Sequence, residues 1–382
     1  FLTLTRPTPQ RELKMATLTQ ASHQWATRPA DERFTSLTAL HDHCAAQRAA
    51  SKAAVIASRD LTVIPVEGDE THKGLQVIGR AGNAADVSNF AFGQLAQRAG
   101  APAAYLRTLP AALAADAMNY GLHVARDVEE VGVLLTRQNG SVAPQMRAAT
   151  GPNYGRIWNS TVTGLLTERF GDGISGDFRV PGEFGRRVEV TKDNTTLYAG
   201  DRDMFVFLAD EERRIEVPNR RDGQTGSLSR GFFVWNSEVG SATFGVGLFL
   251  FDYVCSNRIV WGAQDYKEIK IRHTSGAPHR WLDEVAPAIQ AYAQSSIGPM
   301  QATIEAAQRK KVDDLDAFLK ARRFTGSQIG GIRAAHAADE GRPMETLWDV
   351  ATGVTAYARG IVHQDDRVEI ERRGGEILAL AA

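Results

Sequence analysis

Asp201 and Asp203 stand two residues apart in the segment Gly-Asp-Arg-Asp-Met-Phe. Alternate residues of a strand share a face, so on a strand both carboxylates would point the same way. Hard cations such as Mg2+ are held by groupings of this kind. Glu211 and Glu212 are further oxygen donors nearby, and together they define a two-metal nuclease reading. The bland reading is a charged strand start, and no His or Lys motif accompanies the pair. His41, Asp42, His43 and Cys44 are consecutive. On a helix such neighbours diverge by roughly 100° per residue and cannot close on one ion. That places His41 and His43 outside and Cys44 in the core. GxSxG is absent, no Walker lysine follows the glycines between Gly223 and Gly231, and neither Cys44 nor Cys255 lies in a CxxC pair. Nucleophile-elbow, phosphate-loop and zinc-ribbon chemistry are therefore unsupported.

Basic side chains form the stronger pattern. Arg213, Arg214, Arg220, Arg221 and Arg230 fall in the polar stretch 211–230, which also holds Pro218, Gly223 and Gly226. That composition predicts a long mobile surface loop. Tyr-Lys-Glu-Ile-Lys-Ile-Arg-His follows with period-two order, Ile269 and Ile271 inward, Lys270 and Arg272 outward. Residues 254–280 carry five basic side chains (Arg258, Lys267, Lys270, Arg272, Arg280) and two acidic ones (Asp265, Glu268), a net of +3. Cations that follow phosphates and rings that stack on bases make a single-strand platform. The bland alternative is a solvated charged face with Trp235, Trp261 and Trp281 in the core.

The 382 residues hold 44 Lys+Arg against 45 Asp+Glu, which excludes a uniformly basic coat protein. Two cysteines are too few for a disulfide framework and point to a reducing cytoplasm. No run approaches the ~18 apolar residues of a membrane span. Met15 opens a natural-looking start, which sets residues 1–14 outside the fold, and residues 1–28 read as a flexible N-terminal tail.

The elements follow in order. A helix is predicted over 31–50, with Asp31 as cap and Phe34, Leu37, Leu40 and Cys44 at helical spacing. Short strands lead to a helix capped by Asn83 or Ser88 and closed at Gly100, then a helix over 110–123 carrying Leu113, Ala117 and Tyr120. A hairpin turns through Asn139-Gly140, and 154–170 returns to helix. Along 244–250, Phe244, Val246, Leu248 and Leu250 share one face; Gly245 and Gly247 suggest a bend, a bulge or a close backbone approach. Beyond Pro278 the chain is helical, including 344–359 with Thr346 near its start. This order predicts an α+β fold: a central, mostly antiparallel sheet packed with helices, within a core over 29–278, followed by a helical C-terminal region over 279–382.

Asn236-Ser237-Glu238-Val239-Gly240 and Ser256-Asn257 join strands. Their residue types suit turns that bond local backbone, or a polar loop displayed at a sheet end. With the stretches 88–110, 147–166, 233–262 and 345–359, these turns resemble the DUF932 family of phage- and plasmid-like proteins. The likeness covers roughly residues 85–360. Where the family often has Gly after Cys-Ser-Asn, this chain has Arg258. The resemblance implies a setting in mobile elements and carries no assigned function. The leading expectation is a non-enzymatic protein that binds or anneals single-stranded DNA, with no cofactor. Its candidate contacts are Arg213, Arg214, Arg220, Arg221, Arg230, Arg258, Lys270 and Arg272, and the motif loops are Asn236, Ser237, Glu238, Gly240, Ser256 and Asn257. The rivals are a Mg2+-dependent enzyme on nucleic acid using Asp201 and Asp203, and a structural or host-interaction protein docking through its C-terminal helices. No membrane partner is expected, and self-association is left open.

Overall fold

The computed structural model describes residues 28–66, 74–80, 82–125, 127–137, 143–181, 189–218, 220, 223–252, 257–260, 269–361 and 364–381. The fold is α+β. Its larger sheet runs β1 (Arg33–Phe34), β9 (Leu197–Ala199), β10 (Met204–Asp210), β12 (Gly226–Asn236), β13 (Phe244–Asp252) and β14 (Asn257–Val260), with every pair antiparallel. Three short strands flank it: β8 (Phe178–Arg179) on β10, β11 (Ile215–Val217) on β12, and β15 (Ile269–Ile271) on β13. The smaller sheet runs β2 (Ser51–Ala57), β6 (Glu130–Thr136), β7 (Gln145–Thr150), β5 (Ala84–Val87), β4 (Leu75–Ile78) and β3 (Thr62–Pro65). Of its pairs, β5–β7 is parallel. The Asn139-Gly140 turn between β6 and β7 lies outside the described residues, although the two strands pair antiparallel as a hairpin requires.

Helix α1 (Leu37–Ala49) starts later than its periodicity suggested. Ser36, not Asp31, is the cap, and its hydroxyl accepts from Ala39 N at 3.1 Å; residues 30–34 form a short turn and β1. Helix α2 (Asn89–Arg98) is capped by Ser88 and closes at Gly100, whose φ of +70° suits a left-handed helix end. In α3 (Ala111–Tyr120) the expected face is reversed. Ala111, Ala114, Ala115 and Met118 pack on the small sheet, while Leu113 and Tyr120 are exposed. A close helix–sheet contact takes the small side chains and leaves the bulky ones outside.

The inward face of the large sheet carries Val206, Leu208, Phe232, Val234, Phe244, Val246 and Leu250 in one cluster with Leu37, Leu40 and Cys44 of α1 and Val162 and Leu166 of α4 (Asn159–Phe170). The C-terminal helices α5 (Ala286–Gln294), α6 (Gly298–Arg309), α7 (Leu315–Ala321), α8 (Gly326–Glu340), α9 (Leu347–Ala358) and α10 (Gln364–Ala379) feed the same cluster through Tyr292, Ile304, Leu319, Ile332, Trp348 and Leu378. No separate core begins at residue 279. The division the packing draws lies instead around the small sheet, which with α2 and α3 encloses its own cluster.

The stretch 211–230, expected as a mobile loop, contains two pieces of β-structure. It holds β11 and the first half of β12, with Leu228, Ser229 and Arg230 fully buried. Its polarity misleads because two of its arginines, Arg220 and Arg230, are paired inside the protein. Arg230 donates from Nε to Asp210 at 3.0 Å, and its other nitrogens cap the end of α5 at the carbonyls of Tyr292, Ala293 and Ser295. Arg220 binds Glu340 at the end of α8 and lies over the Trp348 ring. Gly245 and Gly247 mark no bulge. They sit opposite Trp235 and Phe233, whose rings lie across them; a Cβ would fall 1.9 Å and 2.3 Å from those rings.

Breaking a buried ion pair leaves a charge without compensation. Asp210→Ala is therefore expected to lower stability by about 3–5 kcal/mol, and Asp210→Asn by less, since the amide oxygen still accepts from Arg230. Urea denaturation followed by circular dichroism checks this through the midpoint at constant slope.

Candidate nucleic-acid interface at the junction of the two sheets

The Asn-Ser-Glu-Val-Gly turn connects β12 to β13, as its residue types predicted. It is neither displayed nor purely local. Asn236, Ser237, Glu238 and Val239 are buried, and Gly240 takes φ +88°. Ser237 Oγ makes the local turn, accepting from the backbone of Val239, Gly240 and Ser241 at 3.0–3.3 Å, and donates to Arg202 O at 2.6 Å. Asn236 Nδ2 donates to Ile157 O and Asn159 Oδ1. Glu238 accepts from Asn159 N at 2.8 Å and meets Arg147 of β7 at 3.1 Å, the two residues only 2% and 3% exposed. Gln94 of α2 bridges Val239 O and Ala149 N. The turn thus joins the small sheet, α2 and α4 to the large sheet. Two polar clefts flank it. One, of about 470 Å3, is lined by His43, Gln47, Arg137, Gln145, Arg147 and Asp201. The other, of about 430 Å3, is lined by Gln94, Arg98, Glu129, Thr150, Tyr154 and Gly240.

Outside this junction runs a ridge that the sequence reading missed. Tyr154 donates to Ser237 O at 2.6 Å and stacks on His273, ring centroids 4.7 Å apart. Gly155 lets the two chains meet, since Gly155 N donates to His273 O and a Cβ there would fall 1.8 Å from Thr274 O. Arg156 donates to Glu238 O at 2.8 Å and lies 5.4 Å from the Tyr154 ring and 5.6 Å from the Trp158 ring. Arg48 approaches Trp158 at 5.3 Å and is held by the hydroxyls of Ser160 and Thr161. Tyr154 and Trp158 are half-buried, Arg48 is exposed, and Arg272, next to His273, is exposed as its strand pattern predicted. Among the described residues none of Arg48, Arg156 and Arg272 makes an ion pair; Glu238, whose carboxylate is paired with Arg147, also acts on Arg156. Burial pushes the Tyr154 phenol up and the His273 imidazole down, so both rings are neutral near pH 7. Burial, and then the charge of Arg147, likewise lower His43. The signal for the ridge was Tyr154-Gly-Arg156-Ile-Trp158, aromatic and cation at alternate positions.

The other predicted sites fare unevenly. Arg220 and Arg230 are interior and cannot reach a ligand at the surface. Arg213 pairs with Asp210 and Asp177, and Arg214 with Glu211. Lys270 is exposed on the outer face of β15, opposite Gly245. Arg221 and Ser256 lie outside the described residues, while Asn257 and Arg258 belong to β14, which is described as backbone alone. Asp201 and Asp203 sit in a bend before β10 rather than on a strand. Asp203 is bound to Arg28 at 2.5 Å, and Asp201 is exposed at the rim of the first cleft. Glu211, offered as a further ligand, is buried between Arg214 and Arg179. No three His, Cys, Asp or Glu side chains among the described residues are grouped to hold a metal. No helix among them is long and apolar enough to cross a membrane.

No protein-family model, curated protein or solved structure matches this chain.

Glu238→Ala strands Arg147 in the junction and is expected to cost about 3–5 kcal/mol. Glu238→Gln loses less, because its oxygen still accepts from Asn159 N. Chemical denaturation of the two variants beside the wild type gives the ranking.

Proposed function

We propose that this protein binds single-stranded nucleic acid through the ridge of Arg48 and Arg156 around Trp158 and Tyr154, with the exposed Arg272 as a further phosphate contact. One observation carries the reading: two arginines without an ion pair among the described residues, Arg48 and Arg156, lie against the half-exposed Trp158 and Tyr154 rings. Guanidinium groups neutralise successive phosphates, and a ring between them offers a face to any base. Hydroxyl and main-chain acceptors hold Arg48 and Arg156 in place without cancelling their charge. The resemblance to phage- and plasmid-like proteins fits strand binding or annealing during replication or recombination of a mobile element. The two-carboxylate enzyme reading lacks support, since Asp203 is committed to Arg28.

Anisotropy of a labelled oligothymidine, titrated at several salt concentrations, tests the proposal. Three phosphate contacts predict a log–log salt slope of about −2, and Arg48→Ala or Arg272→Ala should each flatten it by about 0.7. Trp158→Ala should weaken binding by about 1–3 kcal/mol. No binding at low salt, or slopes unchanged in both arginine variants, would overturn the reading.

A further inference from the structure

A second group of arginines lies in the C-terminal region. Helix α7 ends with Arg322 as its C-cap and Arg323 just beyond, in the left-handed conformation at φ +62°. Arg323 N donates to Lys320 O, and Phe324 N donates back to Leu319 O, the paired bonds of a Schellman ending. Glycine is the residue that adopts this geometry without steric conflict, and α8 ends with Gly341 at φ +70° in the corresponding place. Arg323 is the one non-glycine residue with positive φ among the described residues. A side chain retained against backbone preference calls for a reason in what that side chain does.

Arg323 lines a groove of about 520 Å3 between the end of α7 and α10, together with Arg322 and Arg373. Two of the three guanidinium groups are pre-positioned. Arg322 stacks 3.5 Å from the Phe318 ring centroid and donates to Phe318 O at 2.9 Å. Arg373 stacks 3.6 Å from the Phe324 centroid and donates to Arg322 O at 2.5 Å. These bonds also cover carbonyls that would otherwise repel an anion at a helix C-terminus. None of the three has a carboxylate partner among the described residues. Of the two acidic residues at the groove, Glu369 is taken by Arg372. Three guanidinium groups less the Glu376 carboxylate leave a net of +2. The apolar lining of the groove is Phe324, Ile377 and Leu380, of which Leu380 is 44% exposed while Phe324 and Ile377 are buried, Phe324 beneath the Arg373 guanidinium.

We infer that this groove binds a phosphate monoester dianion whose organic part is apolar or aromatic. The dianion matches the net charge, planar guanidinium groups suit its oxygens, and the exposed Leu380 side chain gives the organic part an apolar contact. Bound phosphate would also explain why position 323 is arginine. The site is separate from the ridge and does not depend on that reading.

Phenyl phosphate is the probe, titrated calorimetrically into the full-length protein at low salt, with phenol and inorganic phosphate as comparisons. Saturable binding with Kd below about 1 mM, roughly tenfold or more tighter than either comparison, is expected. Arg323→Gly should weaken phenyl phosphate at least about tenfold while raising the melting temperature of the ligand-free protein, because the backbone strain goes with the side chain. Arg373→Ala should weaken binding without that rise. Absence of saturable binding, or unchanged affinity in Arg323→Gly, would overturn the inference.

Discussion

The rest of the molecule is arranged around the ion pair between Arg147 and Glu238. It lies where the small sheet meets the turn of the large one, and both partners are almost wholly withdrawn from water. A lone charge there would lose its hydration with nothing in return. The two residues are 91 positions apart, so β7 and the β12–β13 turn have to arrive together. Such a pair adds less net stability than well-packed apolar side chains would. Its effect is on choice: any arrangement that docks the two cores but separates these charges is heavily penalised. The neutral bonds around it, from Gln94, Asn236 and Tyr154, are satisfied in the same geometry and strengthen that choice.

The same device recurs at other joints. Arg230 with Asp210 fastens the sheet to the end of α5, Arg220 with Glu340 reaches α8, and Arg342 with Asp349 fixes the entry to α9, where Thr346 and Asp349 form a capping box. This changes the meaning of the near-neutral composition. Part of the basic content, Arg147, Arg220 and Arg230 among it, is structural, spent against buried carboxylates and unable to meet an outside ligand. The proposed sites rest instead on cations without an ion pair among the described residues, at the Trp158 ridge and at the end of α7, neither of which is the most arginine-rich stretch of the sequence.

This also sets how much was legible in the sequence. Patterns governed by local rules were readable. The alternation of Phe244, Val246, Leu248 and Leu250 gave the core face, Ile271 points inward between exposed Lys270 and Arg272, Ser88 and Thr346 cap their helices, and Gly100 closes one. The α+β order followed from those. Residues 211–230 were misread because polarity stands for solvent exposure only when charges lack internal partners; Asp210 and Glu340, which supply them, lie outside that window. The Asn-Ser-Glu-Val-Gly turn was half readable: its Ser237 bonds are local, but Glu238 answers to a residue far upstream. Tyr154, Arg156 and Trp158 offered a visible alternation, yet Arg48 and His273, which complete the ridge, come from distant segments.

The large sheet also restricts where a strand of nucleic acid could lie. A sheet that binds single strands on its open face leaves its rings available for stacking. Here Tyr198, Phe205, Phe207 and Phe233 form an outer aromatic cluster that is 2–6% exposed, with Trp235 partly open at its margin. Phe233 and Trp235 lie flat across Gly247 and Gly245, so their faces are already used against the neighbouring strand. The rings of this face are therefore packing. A strand bound as proposed would lie at the rim, where Trp158 keeps part of its surface open and Arg48 and Arg156 stand beside it. A rim of that size contacts few phosphates, which implies modest affinity per protein and a correspondingly shallow dependence on salt.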